Sequence, residues 1–169
     1  MVFPVPRTGK GRKGKLTMTI KTLAADFGKG LFAGFAGTLA ITASQTVEMK
    51  LRHRPPSSSP ADAAGKVLGV APTGEAEKQR FSRIVHFGYD TAWGGLRGVL
   101  DALGLSPTAA TAVHFAAVSG AAMLMLPGLK VAPPVREWGA GEIAVETLHH
   151  LIYALATGAA YEKISAQKE

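Results

Sequence analysis

The chain has 169 residues and no cysteine, which excludes disulfides, thiolate metal sites and cysteine nucleophiles. It is 47% hydrophobic and only 18% charged, below the roughly 25% of an ordinary soluble domain, and its 20 glycines crowd with alanines into the apolar stretches, as in closely packed membrane helices. The net charge of +7 is gathered toward the front: residues 1–22 hold Arg7, Lys10, Arg12, Lys13, Lys15 and Lys21 and no acid. Without interleaved aromatic residues this arm is no platform for nucleic acid, so anionic lipid is its expected partner.

Placed just before an apolar stretch, the arm marks the cytoplasmic side under the positive-inside rule. That stretch, residues 30–47, is eighteen residues long without Asp, Glu, Lys or Arg and stops at Glu48. A first span over residues 28–48 follows. Gly30, Gly34 and Gly37 give it a small-residue face for close helix contact. A basic region ahead of an apolar one also fits a cleavable signal peptide, with 40–43 offering small residues to a peptidase.

Residues 49–83 read as a hydrophilic connection. Pro55, Pro56 and the serines break the helix after Arg54. Ser59 and Pro60 then suit an N-cap and first-turn proline of a short amphipathic helix over 61–68, which Gly69 would end. The loop carries Lys50, Arg52, Arg54, Lys66, Lys78, Arg80 and Arg83 against three acids. With the N-terminus inside, those charges lie outside, in tension with the same rule.

The second span, residues 84–103, contains His86, Asp90, Arg97 and Asp101. Asp90 and Arg97 lie near one face, with His86 a turn before Asp90. Gly94 and Gly98 serve helix packing. A surface amphipathic helix is the soluble alternative. The third span, residues 107–129, is free of Asp, Glu, Lys and Arg, with Pro107 in its first turn and only His114 and Ser119 interrupting the run. Such a helix has no face to show to water. After Lys130, Pro133, Pro134, Arg136 and Glu137, Trp138 is placed for a membrane interface.

The fourth span, residues 139–161, carries Glu142, Glu146, His149 and His150. Glu142, Glu146 and His149 recur at i, i+4 and i+7, hence on one face, with His150 about 100° round from His149. Charged stripes within apolar helices face protein or a wet cavity. The predicted fold is all-α: a polytopic bundle of four transmembrane helices in one domain over 23–162, with a short amphipathic helix in the first loop and both termini on one side.

Antiparallel threading brings Glu48, His86, Asp90, Glu142, Glu146, His149 and His150 into one half of the membrane and leaves His114 in the other. Three chemistries remain open for this polar cluster. Glu146, His149, His150, His86 and Glu48 could bind a divalent metal, since Glu146 and His149 have the i, i+3 spacing of bundle di-metal sites. A proton or ion relay uses the same groups with looser geometry. Structural pairing between helices is the third. A bis-histidine haem is disfavoured, because His86 and His114 fall at opposite depths and His149 and His150 are adjacent on one helix. No cofactor is otherwise indicated. Gly28, Lys29 and Gly30 lack the phosphate-loop frame, and no Gly-x-Ser-x-Gly elbow occurs. A catalytic role is not indicated.

Four places resemble the YagU-like family of small bacterial inner-membrane proteins, a family without an established biochemical activity: GLFAGFAGTLAITASQTVE, PPSSSPADAAG, VHFGYDTAWGGLRG and VETLHHLIYALATG. The family's Glu ahead of a Pro-Pro and Ser-Pro loop matches Glu48, Pro55, Pro56, Ser59 and Pro60. Its second-span His matches His86, and its Glu-x-x-x-His matches Glu146 and His150, which favours His150 over His149. The resemblance implies an inner-membrane location and a multi-pass topology. The partners expected of such a chain are the lipid bilayer and either other membrane subunits or a second copy. It supplies no substrate.

Overall fold

The computed structural model describes residues 19–167. They form α1 (Ile20–Leu51), α2 (Ser59–Leu68), α3 (Glu75–Ala102), α4 (Pro107–Gly128), a 3-10 turn (Val135–Glu137) and α5 (Ala140–Ala166), with no strand among the described residues. The expectations resting on Arg7, Lys10, Arg12, Lys13 and Lys15 lie outside them.

Helix boundaries follow local chemistry. Thr19 opens α1 with a capping box, its Oγ1 accepting from the Thr22 N–H at 3.2 Å. The helix therefore begins well before the uncharged run, and Lys29 pairs with Asp26 at 2.7 Å on its early turns. α3 likewise starts at Glu75, not at residue 84, because Glu75 and Glu77 in the first turn complement the helix dipole and the next residues are good helix formers. The expected loop over 49–83 is thus helical at both ends. The N-cap position of α2 is Ser58, one residue earlier than the sequence suggested, with no side-chain capping bond, its hydroxyl donating to Asp62 instead, and with Pro60 in the first turn. Gly69 ends it in the left-handed region (φ 68°), which glycine adopts without steric penalty. Ser106 caps α4, accepting from the Ala109 N–H at 3.4 Å, with Pro107 next.

α1 is the central helix, antiparallel to both α3 and α5, and α4 packs chiefly on α5. The α1–α3 approach depends on glycine. A Cβ on Gly34 would lie 2.6 Å from the Thr91 carbonyl oxygen and 2.7 Å from the Gly94 Cα, so only hydrogen fits there. Gly30, Gly34, Gly94 and Gly98 meet at this seam as the packing motif predicts, while Gly37 faces Tyr153 and Thr157 of α5. α2 folds back against α3, tied by Lys78 to Asp62 at 2.8 Å and by the Ser82 hydroxyl to the Ser57 carbonyl at 3.2 Å.

The apolar core is small, an Ile41, Val118 and Tyr153 cluster with Trp93 against it. Of the helices among the described residues, one, Pro107–Gly128, is long and apolar enough by itself to cross a membrane. α1 falls short because Gly, Thr, Ser44 and Gln45 dilute its uncharged run, and α3 and α5 because of the ionisable residues that the sequence singled out.

Candidate functional site

The ionisable residues divide into an outer rim, an inner seam and, at the opposite end, an ion pair of buried Arg97 with half-exposed Glu162. At the rim, Glu48 accepts from the Arg54 Nε at 2.8 Å and pairs with Arg52 at 3.2 Å. Arg52 also bridges to Glu142 on α5. Glu142 was expected inside the cluster; its side chain is instead 57% exposed. It occupies the first turn of α5, where water reaches the end of the bundle and the helix dipole favours an acid.

One and two turns deeper lies the seam. His149 is 3% exposed, and its Nδ1 is 2.9 Å from the Ser44 Oγ of α1. His86 Nε2 is 3.1 Å from the Thr42 Oγ1 of α1, and its Nδ1 is 3.3 Å from Asp90 Oδ2, outside hydrogen-bonding geometry. His150 Nδ1 is 3.0 Å from the Glu146 carbonyl oxygen of its own helix and 3.8 Å from that residue's carboxylate. Asp90 lies within electrostatic range of Glu146, and His86 of His150. The adjacent histidines thus have different partners: His149 addresses α1, and His150 its own helix and the α3 side. Tyr153 donates its hydroxyl proton to the Asp90 carbonyl and closes the seam from below.

Among the described residues, no three His, Asp or Glu side chains converge closely enough to hold a metal ion. This corrects the metal-ligand set Glu146, His149, His150, His86 and Glu48. The physical reason is competition: arginines take Glu48, Ser44 takes His149, Thr42 takes His86, and His150 turns toward its own helix backbone.

Arg97 shares a face of α3 with Asp90, two turns away and about 10 Å along the axis. Its guanidinium reaches Glu162 on α5, which runs parallel to α3, stands 4.4 Å from the Tyr161 ring centre, and approaches Asp101 at 3.8 Å. Tyr161 donates to Asp101 Oδ2 at 3.1 Å. His114, in the middle of the bundle, lies 3.1 Å through Nε2 from the Trp93 carbonyl and packs its ring 5.5 Å from that of Tyr153.

Sequence reasoning missed Glu162, Tyr161 and Tyr153. One signal was available: Tyr153, Thr157 and Tyr161 recur at four-residue steps and form the buried stripe of α5. Chemically, the arrangement can hold helices together at three depths and, in the seam, keep ionisable groups away from water. No family model, curated protein or solved structure matches this chain.

Proposed function

We propose that this is an integral membrane protein in which α1, α3, α4 and α5 each cross the bilayer, acting as a small packing or accessory subunit of a membrane assembly. The observation that carries the reading is an inverted distribution of polarity. Arg97, His114, Thr38 and Thr157 are fully buried, whereas Phe32, Leu124 and Ile84 are 76%, 77% and 70% exposed. In water this arrangement is unfavourable on both counts, burying polar groups and exposing apolar ones. Hydrocarbon reverses both terms, because apolar side chains are solvated outside and polar groups must find each other inside. α4 adds support: only 22% of its apolar window is buried, too little for the core helix of a soluble domain.

The packing use of the polar side chains is supported by their contacts, all within this chain. Ser44 with His149, Thr42 with His86, Tyr153 with the Asp90 carbonyl and Arg97 with Glu162 all join different helices. The resemblance to the YagU-like family agrees with an inner-membrane location. The basic arm agrees with a cytoplasmic N-terminus.

A chain without native cysteine is well suited to accessibility mapping. Phe32→Cys, Leu124→Cys and Ser57→Cys variants in vesicles open to both faces should differ: a membrane-impermeant maleimide labels only the last. Rapid labelling at 32 and 124, or release of the chain by alkaline carbonate, overturns the membrane reading. A chain that elutes from mild detergent as a lone monomer overturns the subunit role.

One observation favours a second reading, proton handling through the seam. Asp90 Oδ2 and His149 Nε2 are buried without a hydrogen-bond partner among the described residues. Carboxylates and imidazoles held inside a membrane are the groups from which proton relays are built.

A further inference from the structure

We propose that the pocket between α2 and the end of α4 holds the phosphate group of an anionic phospholipid against the ammonium groups of Lys66 and Lys130; this rests on the membrane reading above. The pocket has a volume of about 520 Å³, within the range of small-molecule sites. Its lining includes Gly65, Lys66, Val70, Lys78, Lys130 and Val131, and Asp62 is the acid in its wall.

The three lysines are not equivalent. Lys78 is taken by Asp62 at 2.8 Å, with Glu75 within electrostatic range, so it has no charge to offer a ligand. Neither Lys66 nor Lys130 pairs with a carboxylate among the described residues. Lys66 Nζ donates to the Leu129 and Lys130 carbonyls at 2.7 and 2.8 Å. These acceptors fix the ammonium in place without carrying a formal charge, so its positive charge is uncancelled and one of its three N–H groups is left for a ligand. The same contact brings Lys130 beside it. Lys130 has φ 54°, in the left-handed region where glycine fits without penalty and a longer residue does not. The chain thus places a second ammonium in this wall at a position that local conformation would give to glycine. Two uncancelled ammonium groups side by side call for an anion, and phosphate is a usual partner of lysine.

Depth and flank assign that phosphate to a lipid. The 22 residues of α4 span about 33 Å, close to the thickness of the hydrocarbon layer. Lys130 and the Lys66 ammonium therefore lie where α4 leaves hydrocarbon, level with the phosphates of the bilayer. Val67, Leu68 and Val70 are exposed beside them at the end of α2. Aliphatic side chains there rest in the acyl boundary while the lysines stay among the headgroups. The uncancelled charge selects an anionic lipid, since the ammonium of a zwitterionic headgroup would be repelled.

The test is hydrogen exchange of the full chain in nanodiscs of phosphatidylglycerol or of phosphatidylethanolamine, read over residues 65–72 and 129–132. This local readout is separate from any lipid bound by the basic arm. Exchange there should be about fivefold slower in phosphatidylglycerol, the factor that one lysine contributes at an anionic surface. Lys130→Gly should abolish the difference; glycine suits the backbone at 130, so this variant folds and decides the matter if Lys66→Gln undocks α2. Arg136→Gln removes a charge from the same end of the bundle, at a side chain 83% exposed and outside the pocket, and should keep the difference. Equal exchange in the two lipids overturns the site. So does an equal loss in Arg136→Gln, which would mean diffuse attraction, or full protection by inorganic phosphate in phosphatidylethanolamine discs, which would mean a site for a soluble anion. A chain firmly integrated in membranes that gives any of these results overturns this inference alone; a chain absent from membranes overturns the reading beneath it.

Discussion

Arg97 concentrates the energetics of the fold in a single side chain. A guanidinium with no exposed surface depends on its neighbours for counter-charge: Glu162 carries the opposing charge, Asp101 approaches at 3.8 Å, and the Tyr161 face lies below it, while the Arg97 Nε and Nη1 have no hydrogen-bond partner among the described residues. Removing one partner of a buried pair leaves the other charge unmatched, which is far more costly than removing both. Glu162→Leu should therefore destabilise the bundle by about 3 kcal/mol, the low end of the range for such breaks, because Glu162 is 45% exposed and water shares its charge. Arg97→Met combined with Glu162→Gln should recover most of that loss. Thermal unfolding of the detergent-solubilised proteins, followed by circular dichroism, compares the two. Equal losses in the single and double variants would mean that Arg97 is compensated by something other than Glu162.

At the scale of elements, the short helix α2 is held by polar contacts on two sides: Asp62 with Lys78 of α3, and Lys66 Nζ, which donates to the Leu129 and Lys130 carbonyls at the end of α4. The Lys78 ammonium, hydrogen-bonded to Asp62, holds its carboxyl below the ordinary value of 3.8, helped by the Ser58 hydroxyl and by Lys66 nearby. A depressed carboxyl stabilises the docked state fully above the unfolded value, and the contribution disappears as pH falls through the lower folded one. Amide exchange over 59–68, corrected for its intrinsic pH dependence, should accordingly be slow at pH 6 and accelerate below pH 4. Asp62→Asn should remove that acid transition; if it persists, another group docks α2. This helix was legible in the sequence because Ser, Pro and Gly punctuate it at both ends, and α4 because nothing in it could face water. The starts of α1 and α3 were not legible, since a hydrophilic helical segment outside an apolar run looks like a loop until a cap such as Thr19 defines it. The candidate site was half legible. Depth along the bundle followed from antiparallel threading, which put His86, Asp90, Glu146 and His149 in one half. Partner choice did not follow, because Arg97 with Glu162 requires knowing that α3 and α5 run side by side in parallel, a contact spanning 65 residues of chain.

At the scale of the whole molecule, the polar groups form two layers, and what separates them discriminates between a scaffold and a relay. The upper layer holds His86, Asp90, Glu146 and His150; the lower holds Arg97, Asp101, Tyr161 and Glu162. Between them lies the apolar packing of Ile41, Val118 and Trp93, with His114 beside it against the Tyr153 ring. A proton leaving Asp90 toward the lower end would pass this plug and then meet the fixed positive charge of Arg97, an arrangement that pores use to exclude protons. The subunit reading thus predicts that the chain, reconstituted in liposomes with an internal pH dye and a potassium diffusion potential, leaks protons no faster than protein-free vesicles. Asp90→Asn should change nothing in that assay. A flux well above the vesicle background that disappears in Asp90→Asn, with the variant still folded, would mean that the plug opens and Arg97 moves aside. The seam would then be a working relay, and the packing role would have to be abandoned.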